Sequence, residues 1–225
     1  RFGGGVPKQY APLEGRTVIE WALAPFLADR RCALCIVALA PGDAHWERVA
    51  SRLATSSPPG VTSVEGGERR SDSVRRALAA LEGRAGADDW VLVHDAARPC
   101  LEASDLEHLL DRLGSHPVGG LLAAPVRDTL KRAAPGRESA YRAIAETVER
   151  AELWRALTPQ MFRYSLLCTG LDRAHASGRF PSDEAQALEW SGERPALIEG
   201  RSMNLKITVG ADLALAAAVL RARGR

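Results

Sequence analysis

Length, composition and charge set the first limits on this chain. It has 225 residues, of which 46% are hydrophobic and 26% are charged, and its formal net charge is +2. This balance is typical of one globular domain with a sizeable core. The small net charge argues against a nucleic-acid partner. No apolar run approaches the roughly 20 residues that a membrane span needs.

The cysteines bear on location and on metal binding. They are Cys32, Cys35, Cys100 and Cys168, and the first two form a C-x-x-C within a strand-like run. A zinc site would need a second pair or histidines at ligand spacing, and a redox pair would favour a helix N-terminus. We interpret all four as buried, reduced thiols. With no visible signal peptide, this predicts a cytoplasmic protein.

Hydrophobic patterning predicts alternating helices and strands along the chain. Helices are predicted over 17–28, 46–53, 71–81, 103–113 (capped by Ser104), 151–157, 166–176, 183–190 and 212–222. Strands are predicted over 33–40, 61–64, 90–93, 119–126, 158–162, 195–198 and 205–208. This order, with its short links, predicts one α/β domain over residues 1–225, with a mostly parallel sheet covered by helices on both faces.

The alternation is interrupted at residues 127–150, which are polar and contain a Pro135-Gly136 turn. Two polar strands around that turn would form a hairpin that stands off the sheet. An isolated hairpin is only marginally stable in water, so we expect this β-arm to pack on a second subunit and form a homodimer. A disordered loop is the alternative interpretation.

The stretch Val91–Pro99, V-L-V-H-D-A-A-R-P, is the first candidate for a binding site. A short buried strand ends abruptly in His94, Asp95 and Arg98. Ligands of open α/β sheets bind just outside the carboxyl ends of such strands. A carboxylate among cations suits a magnesium–triphosphate site, since Mg²⁺ uses few protein carboxylates and several substrate phosphates. An ordinary strand end with solvated charges is the competing interpretation.

Two glycine-containing stretches could contact a nucleotide. Near the start, Arg1 and Lys8 flank Gly3-Gly4-Gly5, a backbone that can approach phosphates closely. The segment 65–73 follows a strand and precedes a helix, so its glycines could lie against a flat base. Neither stretch has the spacing of a P-loop or of a dinucleotide fingerprint. A flexible terminal loop and a simple helix cap are the alternatives.

The remaining candidates are scattered, and no nucleophile is evident. Thr129, Arg150, Thr158 and Lys206 could together form a second phosphate pocket. There is no G-x-S-x-G motif, and no Cys has a base partner near it in sequence. His94 could orient a neighbouring group. A set of charged residues without a nucleophile suits a reaction that depends on charge stabilisation and on the positioning of substrates, as in phosphoryl or nucleotidyl transfer.

Seven stretches, in order along the chain, resemble the 2-C-methyl-D-erythritol 4-phosphate cytidylyltransferases of the non-mevalonate isoprenoid pathway. They are P-K-Q-Y from Pro7, the segment 66–73, V-L-V-H-D-A-A-R-P, A-P-V-R-D-T from Ala124, L-W-R-A-L-T-P-Q from Leu153, S-D-E from Ser182, and E-G-R with N-L-K-I-T from Glu199. The resemblance implies a Rossmann-like fold of the nucleotide-diphosphosugar transferase type. It also implies that the first strand of that fold, with most of its phosphate loop, is absent from this chain.

The resemblance also implies roles for individual residues. The expected catalytic residues are Arg1, Lys8, Arg150 and Lys206. CTP would contact Gly67, Glu68, Ser73, Asp95 and Ala96, and Asp95 could also bind Mg²⁺. Thr129, Arg150, Thr158 and Lys206 would hold methylerythritol phosphate, with Arg150 reaching in from the partner's arm. Glu68 and Ser182 stand where the family commonly has Asp and Thr.

Other functions are compatible with parts of this pattern. A ribitol-5-phosphate cytidylyltransferase shares much of the motif set and would differ in the acceptor pocket. A non-catalytic nucleotide-binding module is a second alternative, because little of the phosphate loop is present. A dehydrogenase is disfavoured, since no dinucleotide fingerprint follows a strand.

Overall fold

The structure is a computed structural model, and it describes residues 5–53, 60–136 and 141–224. Its helices are α1 (Val18–Leu27), α2 (Trp46–Leu53), α3 (Arg70–Ala79), α4 (Ala103–Leu113), α5 (Tyr164–Ala176), α6 (Glu184–Glu189) and α7 (Gly210–Ala222), with a 3₁₀ turn at Lys8–Tyr10. Its strands are β1 (Pro12–Leu13), β2 (Arg16–Thr17), β3 (Leu34–Leu39), β4 (Gly60–Glu65), β5 (Trp90–Val93), β6 (Gly119–Pro125), β7 (Leu130–Ala133), β8 (Ile144–Val148), β9 (Trp154–Arg163) and β10 (Ala196–Glu199).

A four-stranded sheet in the order β10-β6-β9-β5 forms the centre of the fold. Alternate side chains of a strand point to opposite faces, and both faces of the central strands are buried. On one face Leu122 and Met161 pack in a cluster with α4 residues. On the other face Leu121 and Phe162 pack with α5 and α6. The predicted cover of helices on both faces is therefore confirmed.

The predicted mostly parallel sheet is mixed, because β9 runs antiparallel to both of its neighbours, β5 and β6. The strands β5, β6 and β10 run in one direction, and β10 and β6 pair as parallel neighbours. A parallel neighbour requires a crossover connection, usually a helix. Between β6 and β9 the chain instead goes out and back through β7 and β8, so it re-enters the sheet in the opposite direction.

The sheet is also divided. Strands β3 and β4 pair in parallel with each other and, among the described residues, are separate from the four-stranded sheet. A cavity of about 930 Å³, lined by residues of β3, β5, α1 and α3, lies between the two parts. Nevertheless β3 and β5, one strand from each part, both end at a single pocket.

Three local predictions are wrong. Residues 151–157 are not a helix, because Arg155 and Ala156 already pair with β6 as part of β9. Residues 205–208 form no strand, although the Ile207 N–H donates to the Ala97 carbonyl. Ser104 lies inside α4, whose N-cap residue is Glu102.

Strands β7 and β8 pair antiparallel, as predicted for a hairpin within 127–150. Tyr141 and Ile144 are exposed there, at 78% and 63%. The Pro135-Gly136 turn leads into residues 137–140, which lie outside the described residues. The role of this arm in a homodimer stays a prediction.

Two further observations concern the lengths of the helices and the exposure of the cysteines. None of the helices in the described part of the chain has the length and apolar character needed to cross a bilayer. The cysteines are free, but only Cys100 is buried, whereas Cys32, Cys35 and Cys168 are partly exposed.

Candidate active site

A pocket of about 250 Å³ opens where β3 and β5 end. Its lining combines the 3₁₀ turn, the end of β3, the turn after β5 and the segment before α7, through Lys8, Gln9, Tyr10, Ile19, Val37, Ala38, Leu39, Ala40, Asp43, Asp95, Ala96, Ala97 and Lys206. The strand-end position expected for Asp95 is therefore confirmed. The pocket also brings together Lys8, the pair Asp95–Ala96 and Lys206, which come from three distant parts of the chain.

Asp95 lies among three cations. Its Oδ1 accepts a hydrogen bond from Arg70 Nε at 3.2 Å, and its Oδ2 lies 2.8 Å from Lys206 Nζ and 3.5 Å from Arg98 Nε. Burial alone would raise the pKa of Asp95, but the hydrogen bond from Lys206 and the positive charges around it outweigh burial and hold that pKa well below its usual range. Asp95 is therefore a carboxylate, unsuited to act as a general acid.

Lys8 and Lys206 place two ammonium groups at the same pocket. Lys8 Nζ donates to the Ile207 carbonyl at 2.9 Å, next in the chain to Lys206. Burial, and after it the charge of Lys206, lowers the pKa of Lys8. Two cations held close together repel each other, and an anion between them would relieve that repulsion. This arrangement suits a phosphate group.

His94 supports Asp95 from behind through a chain of hydrogen bonds. A carbonyl can only accept, so the 3.2 Å contact between Nε2 and the Arg98 carbonyl assigns the proton to Nε2. Nδ1 then accepts from the Thr158 hydroxyl at 2.9 Å, and that oxygen accepts the Asp95 N–H at 3.1 Å. Burial lowers the pKa of His94 to about 4, so the ring is neutral.

Thr158 was expected to bind the acceptor, and the structure does not favour that contact. The residue is only 4% exposed, its hydroxyl is used by His94 and Asp95, and its carbonyl accepts from Asn204 Nδ2 at 2.7 Å. Thr158 therefore fixes the turn after β5. Arg98 has a similar effect, since its guanidinium donates to the Asn204 carbonyl at 2.7 Å.

The segment after β4 is shaped by close packing of its glycines against α3. The Gly66 N–H donates to the Leu39 carbonyl at 2.7 Å, and the Gly67 N–H donates to Ser73 Oγ at 3.1 Å. A Cβ on Gly67 would lie only 2.2 Å from Asp72 Cβ. Only glycine fits there, and the loop is held beside the end of β3, which lines the pocket.

The other predicted residues are not assembled at this pocket. Glu68 is exposed on the segment after β4, and Thr129 and Arg150 are exposed at the base of the arm. The guanidinium of Arg150 donates to the Arg127 carbonyl. Arg1, with Gly3 and Gly4, lies outside the described residues. The roles expected for these residues stay predictions.

Comparison with known proteins identifies the family. The sequence model of the 2-C-methyl-D-erythritol 4-phosphate cytidylyltransferases matches residues 1–222. The chain belongs to this family. A relative of that name from Halorhodospira halophila is 50% identical over 224 residues, which cover 99% of this chain and 90% of the relative. One from Klebsiella pneumoniae is 48% identical over 93% of this chain and 84% of the relative.

Solved structures of cytidylyltransferases from this family share the fold. A crystal structure of a 4-diphosphocytidyl-2C-methyl-D-erythritol synthase has a TM-score of 0.83 and 37% identity, with 95% of each chain covered. The 2-C-methyl-D-erythritol 4-phosphate cytidylyltransferase of Thermus thermophilus has a TM-score of 0.76 and 35% identity, covering 96% of this chain and 94% of its own.

Sequence reasoning missed two charged residues of this cytidylyltransferase site. Arg70 bonds to Asp95, and its NH1 and NH2 donate to Glu184 Oε1 and Oε2 at 2.5 and 2.9 Å. Both residues lie in stretches that resemble the family, but no role was assigned to either. Their pairing joins positions 114 residues apart, and no local pattern indicates that Glu184 is buried.

Proposed function

We propose that the pocket transfers the cytidylyl group of CTP to 2-C-methyl-D-erythritol 4-phosphate, releasing pyrophosphate. Membership of the family supports this reaction, and the observation that carries it to the residues is the convergence of Lys8, Lys206 and Asp95 at one strand end. Two ammonium groups beside a carboxylate suit the meeting of two phosphate-bearing substrates. The site has the features of charge-stabilised nucleotidyl transfer.

The reaction needs little acid–base chemistry from the protein. A phosphate monoester has a second pKa near 6, so the acceptor is mostly a dianion at neutral pH. One of its oxygens attacks the α-phosphorus of CTP in line, and the bond from that phosphorus to the pyrophosphate oxygen breaks. Lys8 and Lys206 stabilise the negative charge that accumulates between the two substrates.

The glycine segment supports binding of the cytosine base. The Gly67 N–H donates a hydrogen bond to Ser73 Oγ, so the backbone is fixed before the nucleotide binds. We assign the cytosine to this segment, with Glu68 beside it, and the ribose to Asp95 and Ala96. Rigid backbone groups recognise a flat base with little loss of entropy on binding.

We further propose Mg²⁺ as the metal. Among the described residues, no three His, Cys, Asp or Glu side chains are arranged to hold a metal ion. Mg²⁺ typically takes one or two carboxylates together with substrate phosphates, and Asp95 would supply such a carboxylate. Asp43, which also lines the pocket, is engaged by Tyr10 and by the start of α2. Bound Mg²⁺ would neutralise charge on the leaving pyrophosphate.

The acceptor side supports a homodimer built through the 127–150 arm. Thr129 and Arg150 are exposed, and neither lines the pocket of its own chain. We place them in the partner's pocket, where Arg150 binds the acceptor phosphate. Mixing an Arg150→Ala protein with a Lys8→Ala protein tests this, because mixed dimers would contain one intact site. We expect roughly a quarter of wild-type activity after random exchange. No recovery in proven mixed dimers would exclude action across the interface.

A comparison of two acceptors, each supplied separately, tests the reaction itself. Full-length protein is given CTP and Mg²⁺ with either 2-C-methyl-D-erythritol 4-phosphate or ribitol 5-phosphate, and pyrophosphate and the CDP-linked product are measured. We expect turnover at least about tenfold faster with the methylerythritol acceptor. The Arg75→Gln variant, which loses only a surface pair with Asp172, is the control. Preference for ribitol 5-phosphate, or no pyrophosphate with either, would refute the proposal.

A further inference from the structure

Arg70, which is partly exposed, forms an ion pair with the buried Glu184 beside Asp95. The side chain of Glu184 is 1% exposed, and both of its oxygens accept hydrogen bonds from the guanidinium of Arg70. Burial lowers the pKa of Arg70, but Glu184 and Asp95 outweigh this and raise it overall. A buried carboxylate is stable when it is paired and hydrogen-bonded in this way.

The same guanidinium also reaches Asp95. With its outer nitrogens bound to Glu184, Arg70 donates from Nε to Asp95 Oδ1. Oδ2 of Asp95 then faces Lys206. The planar guanidinium is therefore fixed by two carboxylates, and it fixes the orientation of the second one.

The pair connects elements that serve different parts of the nucleotide. Arg70 is the first residue of α3 and lies between Gly67 and Ser73 in the segment assigned to cytosine, and Glu184 is the first residue of α6. Asp183 caps α6 by accepting from the Gln186 N–H, and its other oxygen accepts from Gln160 of β9 at 3.0 Å. Glu184 is thus anchored to the central sheet.

We propose that Arg70, clamped by Glu184, is a positioning residue that orients the Asp95 carboxylate for CTP. This inference rests on the proposed function and adds two residues to its site. Arg70 acts through Asp95 and does not contact the reacting atoms. Its effect on CTP binding must therefore depend on the presence of the Asp95 carboxylate.

A double-mutant cycle on CTP binding tests that dependence. Equilibrium binding of CTP with Mg²⁺ is measured by calorimetry for the wild type, Arg70→Lys, Asp95→Asn and the double variant. Lysine keeps the charge but lacks the planar fork that donates to both oxygens of Glu184 while a third nitrogen donates to Asp95. We expect Arg70→Lys to weaken CTP binding by roughly 10-fold in the wild type and by less than about threefold in Asp95→Asn. A binding measurement also reports on variants that turn over slowly.

Two variants guard against simple misfolding. Glu184→Gln keeps the volume of the side chain and should show the same dependence on Asp95, so it replaces Arg70→Lys if that variant does not fold. Arg75→Lys, on the same helix, should bind CTP as the wild type does. Equal weakening in both Asp95 backgrounds would overturn the role of Arg70 and leave the reaction intact. A wild type that does not bind CTP would overturn both proposals.

Discussion

Adding one methyl group at Gly67 should impair recognition of CTP while leaving the rest of the site in place. The added Cβ would lie 2.2 Å from Asp72 Cβ and 3.1 Å from the Asp72 carbonyl carbon, whereas ordinary contacts begin at 3.4 Å. Both atoms belong to the first turn of α3. The loop and the helix must therefore separate by about 1 Å.

That displacement sets the expected size of the effect. Overpacking costs typically about 1–3 kcal/mol, and a misplacement of about 1 Å in a site can reduce the rate by roughly 100-fold. We expect Gly67→Ala to lower kcat/KM for CTP by roughly 10- to 100-fold, with a much smaller change in the KM for the acceptor. Pyrophosphate release at varied CTP and at varied acceptor measures the two separately.

The control for this prediction is a glycine with more room. Gly86→Ala places its Cβ 3.5 Å from the nearest atom, a carboxylate oxygen of Asp89, without a left-handed backbone. Gly86 lies between α3 and β5 and should tolerate alanine. If Gly67→Ala keeps the wild-type kcat/KM for CTP, or if Gly86→Ala loses as much, the steric argument is refuted.

Three other changes have defined outcomes. Lys8→Ala should reduce kcat by roughly 100-fold or more, because one charge-stabilising donor is lost, and a near-normal kcat in pyrophosphate release would contradict that role. Arg150→Ala should raise the KM for the acceptor far more than the KM for CTP; equal effects would remove it from the acceptor site. His94→Gln should alter stability at acid pH. The pKa of His94 is about 4 when folded and near 6.5 when unfolded, so the unfolded state binds more protons between those values. The wild type should therefore lose up to roughly 3 kcal/mol as pH falls from 7 to 4, and urea titrations should show that His94→Gln lacks this part of the loss.

The parts of the fold that could be predicted from sequence depend on local burial. The run Trp90–Val93 and the helix Ala103–Leu113 have the predicted bounds, because their apolar spacing directly reflects which side chains face the core. The direction of β9 could not be predicted in this way. It depends on how the chain returns from β6, and the spacing of residues 151–157 is compatible with either a helix or a strand.

The site shows the same division between local and long-range information. Sequence motifs identify Asp95, Lys8 and Lys206 as candidates. The hydrogen bond from Lys8 to the Ile207 carbonyl, however, joins residues 199 positions apart, and no motif predicts it. The burial of Thr158 and the pair between Arg70 and Glu184 are also products of tertiary packing. The sequence therefore indicates the charged groups that face the pocket and His94 as a group that orients them, but it does not indicate the pair of Arg70 and Glu184 that holds Asp95.

Charge balance gives a physical reason for the proposed roles of Arg1 and Arg150. Around Asp95 the structure assembles four cations and two carboxylates, namely Lys8, Arg70, Arg98, Lys206, Asp95 and Glu184. The two carboxylates offset half of that positive charge. A triphosphate and a phosphate dianion together carry more negative charge than the remainder can balance, and bringing two polyanions together is the main electrostatic cost of the reaction. The proposed Mg²⁺ would offset part of the remaining negative charge, and further cations would offset the rest. Arg1 and the partner's Arg150 are the residues expected to supply them, which makes the mixed-dimer experiment a test of the charge balance as well as of the arm.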